Sequence, residues 1–278
     1  MSDIAALPPL RDVIARHGLA ADKRFGQHFL LDLNLTAKIA REAGPLATGT
    51  TIEIGPGPGG LTRALLMAGA AGVIAIERDT RCLTLLSELE AAAAGRLTLV
   101  SGDALEIDAS ELGSEPRRIV ANLPYNVATP LLIGWLRTIR SFESLTLMFQ
   151  KEVADRLAAP PGSAAYGRLS VIAQRQARVK ALFDLPARAF TPPPKIDSAV
   201  VRFTPRADAL EPTALANLET VTAAAFGQRR KMLRASLKSL GTDPAPLLAA
   251  AGLPGTARAE EIDNDGFDRL ARAYADRR

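Results

Sequence analysis

The chain has a single cysteine, Cys82, in 278 residues, which excludes an internal disulfide and fits a reducing compartment. Its two histidines, His17 and His28, have no cysteine or carboxylate cluster at ligand spacing, so no metal site is expected. Long apolar runs are missing too. The longest charge-free apolar stretch, Ala64 to Ile76, is too short and too glycine-rich to span a bilayer, so no membrane partner is expected. Near the N-terminus stand Asp3 and Asp12 rather than a basic-then-apolar signal, and a cytoplasmic protein is expected. Neither sign of charge dominates: the formal net charge is +4, which favours a polyanionic partner mildly. Charged residues make up 23%, close to the globular average, which argues against wholesale disorder. The 47% hydrophobic content suits one large domain or a domain with an appendage.

What is present from about residue 50 is an alternation of short β-rich runs with helical ones. Thr50–Ile54, Val73–Ile76, Leu97–Val100, Ile119–Ala121 and Leu145–Phe149 read as buried strands, with helical stretches such as Leu61–Ala68 and Thr80–Ala94 between them. Strands separated by crossover helices predict an α/β fold with a doubly wound, mostly parallel sheet. Two later runs, Val179–Leu185 and Ala199–Phe203, lack a long helix between them and predict an antiparallel hairpin at one edge. Beyond Pro205, alanine, leucine and arginine dominate and helical periodicity continues to Arg278. The expected domains are therefore 1–205 and a small all-helical 206–278. Pro160 to Ser163 and Pro192 to Pro194 read as loops.

The first strand runs into EIGPGPGGLT, Glu53 to Thr62. Gly55, Gly57 and Gly59 let the backbone turn tightly and approach a ligand before a helix begins. Such a turn alone is also compatible with a nicotinamide dinucleotide or with no ligand. Pro56 and Pro58 decide against a pyrophosphate, because they remove amide donors that a phosphate site at a helix N-terminus requires. Glu53, just ahead of the loop, repels phosphate and attracts a cation. The ligand expected is a nucleoside with a positive centre and no phosphate, a description that S-adenosylmethionine fits. Glu77 ends the second strand, 22 positions after Gly55, where an acid accepts from ribose hydroxyls. Asp103 ends the third and is placed to accept from an adenine amino group, although strand-terminal acids also serve as helix caps.

The fourth strand stops at Asn122-Leu123-Pro124-Tyr125, which faces the transferred methyl group if the cofactor lies over strands one to three. The adenine amine is a poor nucleophile because its lone pair is delocalised into the ring. Hydrogen bonds accepted from its two N–H groups favour pyramidal nitrogen and localise that pair. Asn122 offers a neutral side-chain carbonyl, a backbone carbonyl at Pro124 is expected to take the second hydrogen, and Tyr125 offers a stacking face. Asn122, Leu123, Pro124 and Tyr125 are the expected catalytic group.

KRFGQHFLLD (Lys23–Asp32), EIGPGPGGLT, GDAL, ANLPYN, YGRLSV (Tyr166–Val171), FTPPPKIDSAV (Phe190–Val200) and FGQRRKMLRASL (Phe226–Leu237) together resemble the KsgA/RsmA family of ribosomal RNA small-subunit adenine dimethyltransferases. The resemblance implies a Rossmann-like class I methyltransferase core with a C-terminal helical domain. It also implies S-adenosyl-L-methionine as methyl donor, without a metal, and N6,N6-dimethylation of two adjacent adenosines in the hairpin near the 3′ end of 16S rRNA, in the small subunit or its precursor. A monomer is expected. Carried over by position, the cofactor contacts fall on His28, Leu30, Gly55, Glu77, Asp103 and Asn122, with Gly57 in the same loop; an asparagine is expected in most members where this chain has His28. The resemblance also makes Phe190 the ring that sandwiches the target base with Tyr125, while a core aromatic is the alternative.

Gln228–Lys238 carries Arg229, Arg230, Lys231, Arg234 and Lys238 with no acid. Read as one helix, it aligns 230, 234 and 238 on a face. Such a face can be merely solvated; beside an adenine-modifying site it reads as a phosphate-contacting surface that positions RNA without reading bases. Three rivals remain. An Erm-like 23S rRNA enzyme shares the core but not YGRLSV and QRRKMLRASL. A ribosome-assembly binding factor does not need Glu77, Asp103 and Asn122 intact. A nicotinamide oxidoreductase is at odds with the two loop prolines.

Overall fold

The computed structural model describes residues 3–277; Arg278, where the helical reading ends, lies outside them. The chain splits into two compact units, Met1–Ala154 with Lys180–Thr204, and Asp155–Val179 with Pro205–Arg278.

The first unit opens with α1 (Leu10–Arg16), β1 (Phe29–Leu30) and α2 (Leu33–Glu42). Asp32 caps α2 by accepting from the amides of Asn34 and Leu35, satisfying donors that the helix leaves orphaned. Then come β2 (Thr50–Ile54), α3 (Gly60–Met67), β3 (Val73–Glu77), α4 (Thr80–Ala92), β4 (Leu97–Ser101), β5 (Arg117–Ala121), α5 (Tyr125–Arg137), β6 (Ser144–Gln150) and α6 (Lys151–Ala158). After α7 (Arg168–Gln176) follow β7 (Ala177–Leu185), β8 (Phe190–Thr191) and β9 (Ser198–Pro205). Seven strands form one sheet in the order β4-β3-β2-β5-β6-β9-β7. The pairs β2/β3, β3/β4, β2/β5 and β5/β6 are parallel, and β6/β9 is antiparallel. All five residues of β2 are buried, as a parallel strand covered on both faces requires.

The five parallel strands agree with the sequence reading to within two residues at either end. The two late runs, β7 and β9, are neighbours at one edge, as expected, and β9 joins them to the parallel body. Successive strands run outward from β2 through β3 to β4, then resume at β5 on the other side. That reversal between β2 and β5 opens a crevice at the C-terminal ends of the strands, where an open α/β sheet binds ligands. A second sheet of two strands went unpredicted: β1 pairs antiparallel with β8, Phe29 opposite Thr191 and Leu30 opposite Phe190. Two residues are too few to show a periodicity.

The second unit holds α7, α8 (Pro212–Gly227), α9 (Leu233–Ser236), α10 (Pro244–Ala251) and α11 (Asn264–Ala275). It begins earlier than the composition change at Pro205 suggested, because residues 155–179 are tied into it. The Tyr166 hydroxyl donates to the Ile262 carbonyl at 3.0 Å, and its buried ring meets Phe226 edge-on, with Phe226 stacked on Phe267. Buried Arg175 pairs with Asp268, and Gln176 accepts from the Leu210 amide at 2.7 Å. YGRLSV is therefore a packing motif of this unit.

The basic segment is not one helix. The last turn of α8 ends at Gly227, and Gln228–Met232 forms a turn in which the Lys231 amide donates to the Gln228 carbonyl at 2.8 Å. Met232 then bridges Arg258, and the Leu233 and Arg234 amides donate to the carbonyls of Ala257 and Gly255. These outside partners replace the helical ladder, so Arg230 lies in the turn and Arg234 and Lys238 beyond it. The expected alignment of 230, 234 and 238 on one helix face does not form.

Candidate active site at the ends of the parallel strands

A cleft over the C-terminal ends of β2, β3 and β5 is lined by nearly all the residues expected there: His28, Leu30, Gly55, Gly57, Glu77, Asp103, Asn122, Leu123, Pro124 and Tyr125. Gly55, Gly57 and Gly59 all have positive φ, at 65°, 54° and 88°, a region that side chains disfavour. At Gly59 a Cβ would also lie 2.8 Å from the Leu86 side chain, which would have to shift.

Glu77, at the last position of β3, ties this loop down. One carboxylate oxygen accepts from the Gly57 amide at 2.9 Å, the other from the Asp79 amide at 2.8 Å. Burial raises its carboxyl above the ordinary value, and the two amides work against that. Glu77 thus shapes the loop as well as presenting an acid to the cleft. Asp79 in turn caps α4, and the Arg81 guanidinium beside it holds its carboxyl down at about 2.

Glu53 is 1% exposed on β2, and its Oε2 has no hydrogen-bond partner; the buried Thr62 hydroxyl also lacks one. Burial pushes the Glu53 carboxyl up to about 8, the nearby Thr62 hydroxyl opposing this and Glu77 adding to it. A cation in this cleft, whose wall also contains Glu77, favours the ionised form of Glu53, and an anion favours the protonated one. Asp103 is held from two sides, as a cap and as an ion-pair partner. Its Oδ1 accepts from the Leu105 amide at 3.0 Å, as a cap does, while Oδ2 pairs with Arg78 at 3.0 Å on the cleft side.

At the end of β5, Asn122 donates from its side-chain nitrogen to the His28 backbone carbonyl at 3.2 Å, which leaves Oδ1 as the acceptor. The Pro124 carbonyl is not available as expected. It accepts the Val127 and Ala128 amides at 3.1 Å each, because α5 starts at Tyr125 and its first turn needs that acceptor. Among the described residues none donates to the Leu123 carbonyl, which is left free to accept.

Tyr125 is half-buried rather than free. Its hydroxyl is 2.7 Å from the Ser198 hydroxyl, and its ring stacks on His28 with centroids 5.7 Å apart. Phe190 does not reach the cleft: it is 3% exposed, in the core with Leu30, Leu185 and Val200, because pairing with Leu30 turns it inward. The sequence reading missed Ser198, Arg78 and Phe25, whose ring lies within 6.0 Å of the Arg24 and Arg78 guanidinium carbons. Nothing in a local pattern marks them, since each is brought in by distant pairing or by a loop.

In the second unit, Arg230, Lys231, Arg234 and Lys238 are exposed and have no ionic partner among the described residues. Arg229 differs. It pairs with Glu260 at 2.8 Å and donates to the Ala164 carbonyl at 2.7 Å, so it holds its own unit together.

A family model described as ribosomal RNA adenine dimethylase matches residues 18–275 of the chain. The chain is 65% identical to the ribosomal RNA small subunit methyltransferase A of Rhodospirillum rubrum over 267 residues, 96% of this chain and 92% of the relative. It is similar to the crystal structure of a dimethyladenosine transferase from Plasmodium falciparum, with TM-score 0.74, 26% identity, and 87% of this chain and 96% of that one covered. A 23S rRNA methyltransferase, ErmE, is similar at TM-score 0.68 and 27% identity, over 89% of this chain and 99% of that one. With its strand-end cleft and these likenesses along nearly its whole length, the chain belongs to the ribosomal RNA adenine dimethylase family.

Proposed function

We propose that the protein transfers methyl groups from S-adenosylmethionine to the N6 atoms of two adjacent adenosines in the 3′-terminal hairpin of 16S rRNA, in the small ribosomal subunit or its precursor. In this reading the first unit carries the cofactor and the chemistry, the second holds RNA, and the protein works as a cytoplasmic monomer.

The residues of the cleft fit that cofactor. The orphaned Glu53 oxygen suits a cation, and a loop with two prolines lacks the amide donors of a pyrophosphate site. When bound, S-adenosylmethionine supplies an electrophilic methyl group. Glu77 and Asp103 are assigned to its ribose and adenine, and His28, Leu30, Gly55, Gly57 and Asn122 to its remaining contacts.

The observation that carries the reading is the pair of neutral acceptors at the end of β5. Asn122 has its amide nitrogen committed to the His28 carbonyl, so Oδ1 is left for an N6 hydrogen, and the Leu123 carbonyl is left for the other. Both acceptors are fixed before substrate arrives, which is where such groups contribute most to rate. Tyr125 supplies the stacking face, typically worth about 1–3 kcal/mol per base. Neutral acceptors also suit a second transfer to the same nitrogen, because a monomethyl amine still offers one hydrogen. Arg230, Lys231, Arg234 and Lys238 are assigned to RNA phosphates, which need positive charge but not a regular helix.

The test is incubation of unmodified small and large subunits with methyl-labelled S-adenosylmethionine. Label is expected in the small-subunit RNA; label confined to the large subunit refutes the assignment.

A further inference from the structure

We infer that His28 and Ser198 are positioning residues that hold the Tyr125 ring for the target base, His28 against one face and Ser198 at the hydroxyl. The inference rests on the adenine reading above and goes beyond it, since neither residue has that role in it.

Three hydrogen bonds and one ring contact meet here. Ser198, the first residue of β9, is fully buried, and its hydroxyl lies 2.7 Å from that of Tyr125. A buried serine hydroxyl against a tyrosine hydroxyl sets the angle at which the ring leaves α5. The His28 ring stacks on Tyr125 at 5.7 Å and 29°. Aromatic pairs in direct contact lie about 4.5–7 Å apart, so no base fits between these two. The target base is left with the opposite face of Tyr125.

His28 is itself held. Its Nδ1–H donates to the Pro192 carbonyl at 2.7 Å, and its backbone carbonyl receives the Asn122 amide at 3.2 Å. The pairing of β1 with β8 fixes both ends of that contact, because Phe29 next to His28 lies opposite Thr191 next to Pro192. The segment FTPPPKIDSAV thereby gains a reason for its two ends. Phe190 anchors it in the core, and Ser198 delivers a hydroxyl to the base platform. One residue, His28, engages the amide that activates the amine and the ring that stacks the base.

The experiment is single-turnover methyl transfer on unmodified small subunits, with cofactor affinity followed by calorimetry in parallel. Ser198→Ala is expected to slow transfer about fivefold, the scale of one hydrogen bond, with cofactor affinity unchanged. Ser198→Thr, which keeps a hydroxyl, is expected to recover most of the rate. In a Tyr125→Phe background Ser198→Ala is expected to add nothing, since no phenol remains to be held. His28→Phe, which keeps a ring on Tyr125, is expected to retain more rate than His28→Ala. Equal slowing by Ser198→Ala in both backgrounds would make Ser198 merely structural and overturn the proposal. So would a His28→Ala protein that loses cofactor affinity at an unchanged saturated rate. A wild-type protein that puts no label on adenine would instead bring down the reading of the substrate.

Discussion

The cleft of the first unit and the basic segment of the second are both built for the same RNA in this account, and they are built differently. In the cleft three of the groups assigned to ligands are held by the protein before any ligand arrives: Glu77 by two backbone amides, Asn122 by the His28 carbonyl, Tyr125 by Ser198 and His28. In Gln228–Lys238 the four assigned cations are exposed and unpaired among the described residues, and the backbone beneath them is interrupted. Chemistry on a weak nucleophile depends on where two acceptors stand, so their positions are fixed in advance. Phosphate attraction falls off slowly with distance and needs only charge nearby, so a broken helix serves.

That contrast can be broken from either side. The largest effect is expected at Asn122. Asn122→Ala is expected to slow single-turnover transfer about a hundredfold, the scale for losing one pre-positioned polar group, and to weaken cofactor binding much less. A rate within about threefold of wild type, roughly 0.7 kcal/mol on the barrier, would remove Asn122 from the chemistry. Glu77→Ala comes next, with cofactor binding weaker by about 1.5–3 kcal/mol in calorimetry. Glu77→Gln is expected to rescue little, because both oxygens accept from amides and a carboxamide offers only one acceptor oxygen.

On the other side, Arg230, Lys231 and Arg234 replaced together by Ala are expected to flatten the salt dependence of subunit binding. Each lost contact should reduce the logarithmic slope by about 0.7–0.9, with transfer from saturated complexes left intact. Arg229→Ala is expected to change the slope less and the stability more, since its guanidinium is engaged by Glu260 and Ala164. An unchanged slope in the triple variant would mean that the exposed cations are only solvated.

The smallest effect concerns Glu53. Its folded carboxyl is raised to about 8 by burial, whereas the unfolded chain ionises in the ordinary carboxylate range. The stability that goes with the protonated form is complete below the ordinary range and is lost as pH rises through about 8. Glu53→Gln does not titrate, so its advantage over wild type in urea melts of the ligand-free protein should grow from about pH 5 to about pH 8 and then level off. A difference independent of pH would show that Glu53 is already ionised in the fold.

What could be read from the sequence follows the same division. The parallel sheet was legible because each strand is a short run rich in aliphatic and β-branched residues set between helical stretches, and its topology carries the ends of β2, β3 and β5 to one place whatever the loops do. Glu77, Asp103 and Asn122 could therefore be placed at the cleft from their position alone. The segments tied by distant pairing were not legible. Phe190 is a core residue because of a two-residue strand, and Ser198 reaches Tyr125 from 73 positions away. The free carbonyl is that of Leu123 and not of Pro124, because a helix begins at Tyr125 and its first turn takes the Pro124 carbonyl. The basic helix failed for a related reason: spacing predicted a continuous face, and backbone partners at Gly255, Ala257 and Arg258 interrupt it.

The central claim is that one cleft, with two neutral acceptors and a single stacking face, dimethylates adjacent adenosines of the small subunit. Mass spectrometry of nuclease fragments after exhaustive reaction on unmodified subunits tests it most directly. The account predicts N6,N6-dimethyladenosine at two neighbouring positions near the 3′ end of 16S rRNA, with no monomethyl product left. A single dimethylated adenosine in 23S rRNA, or a reaction that halts at one methyl group, would contradict it.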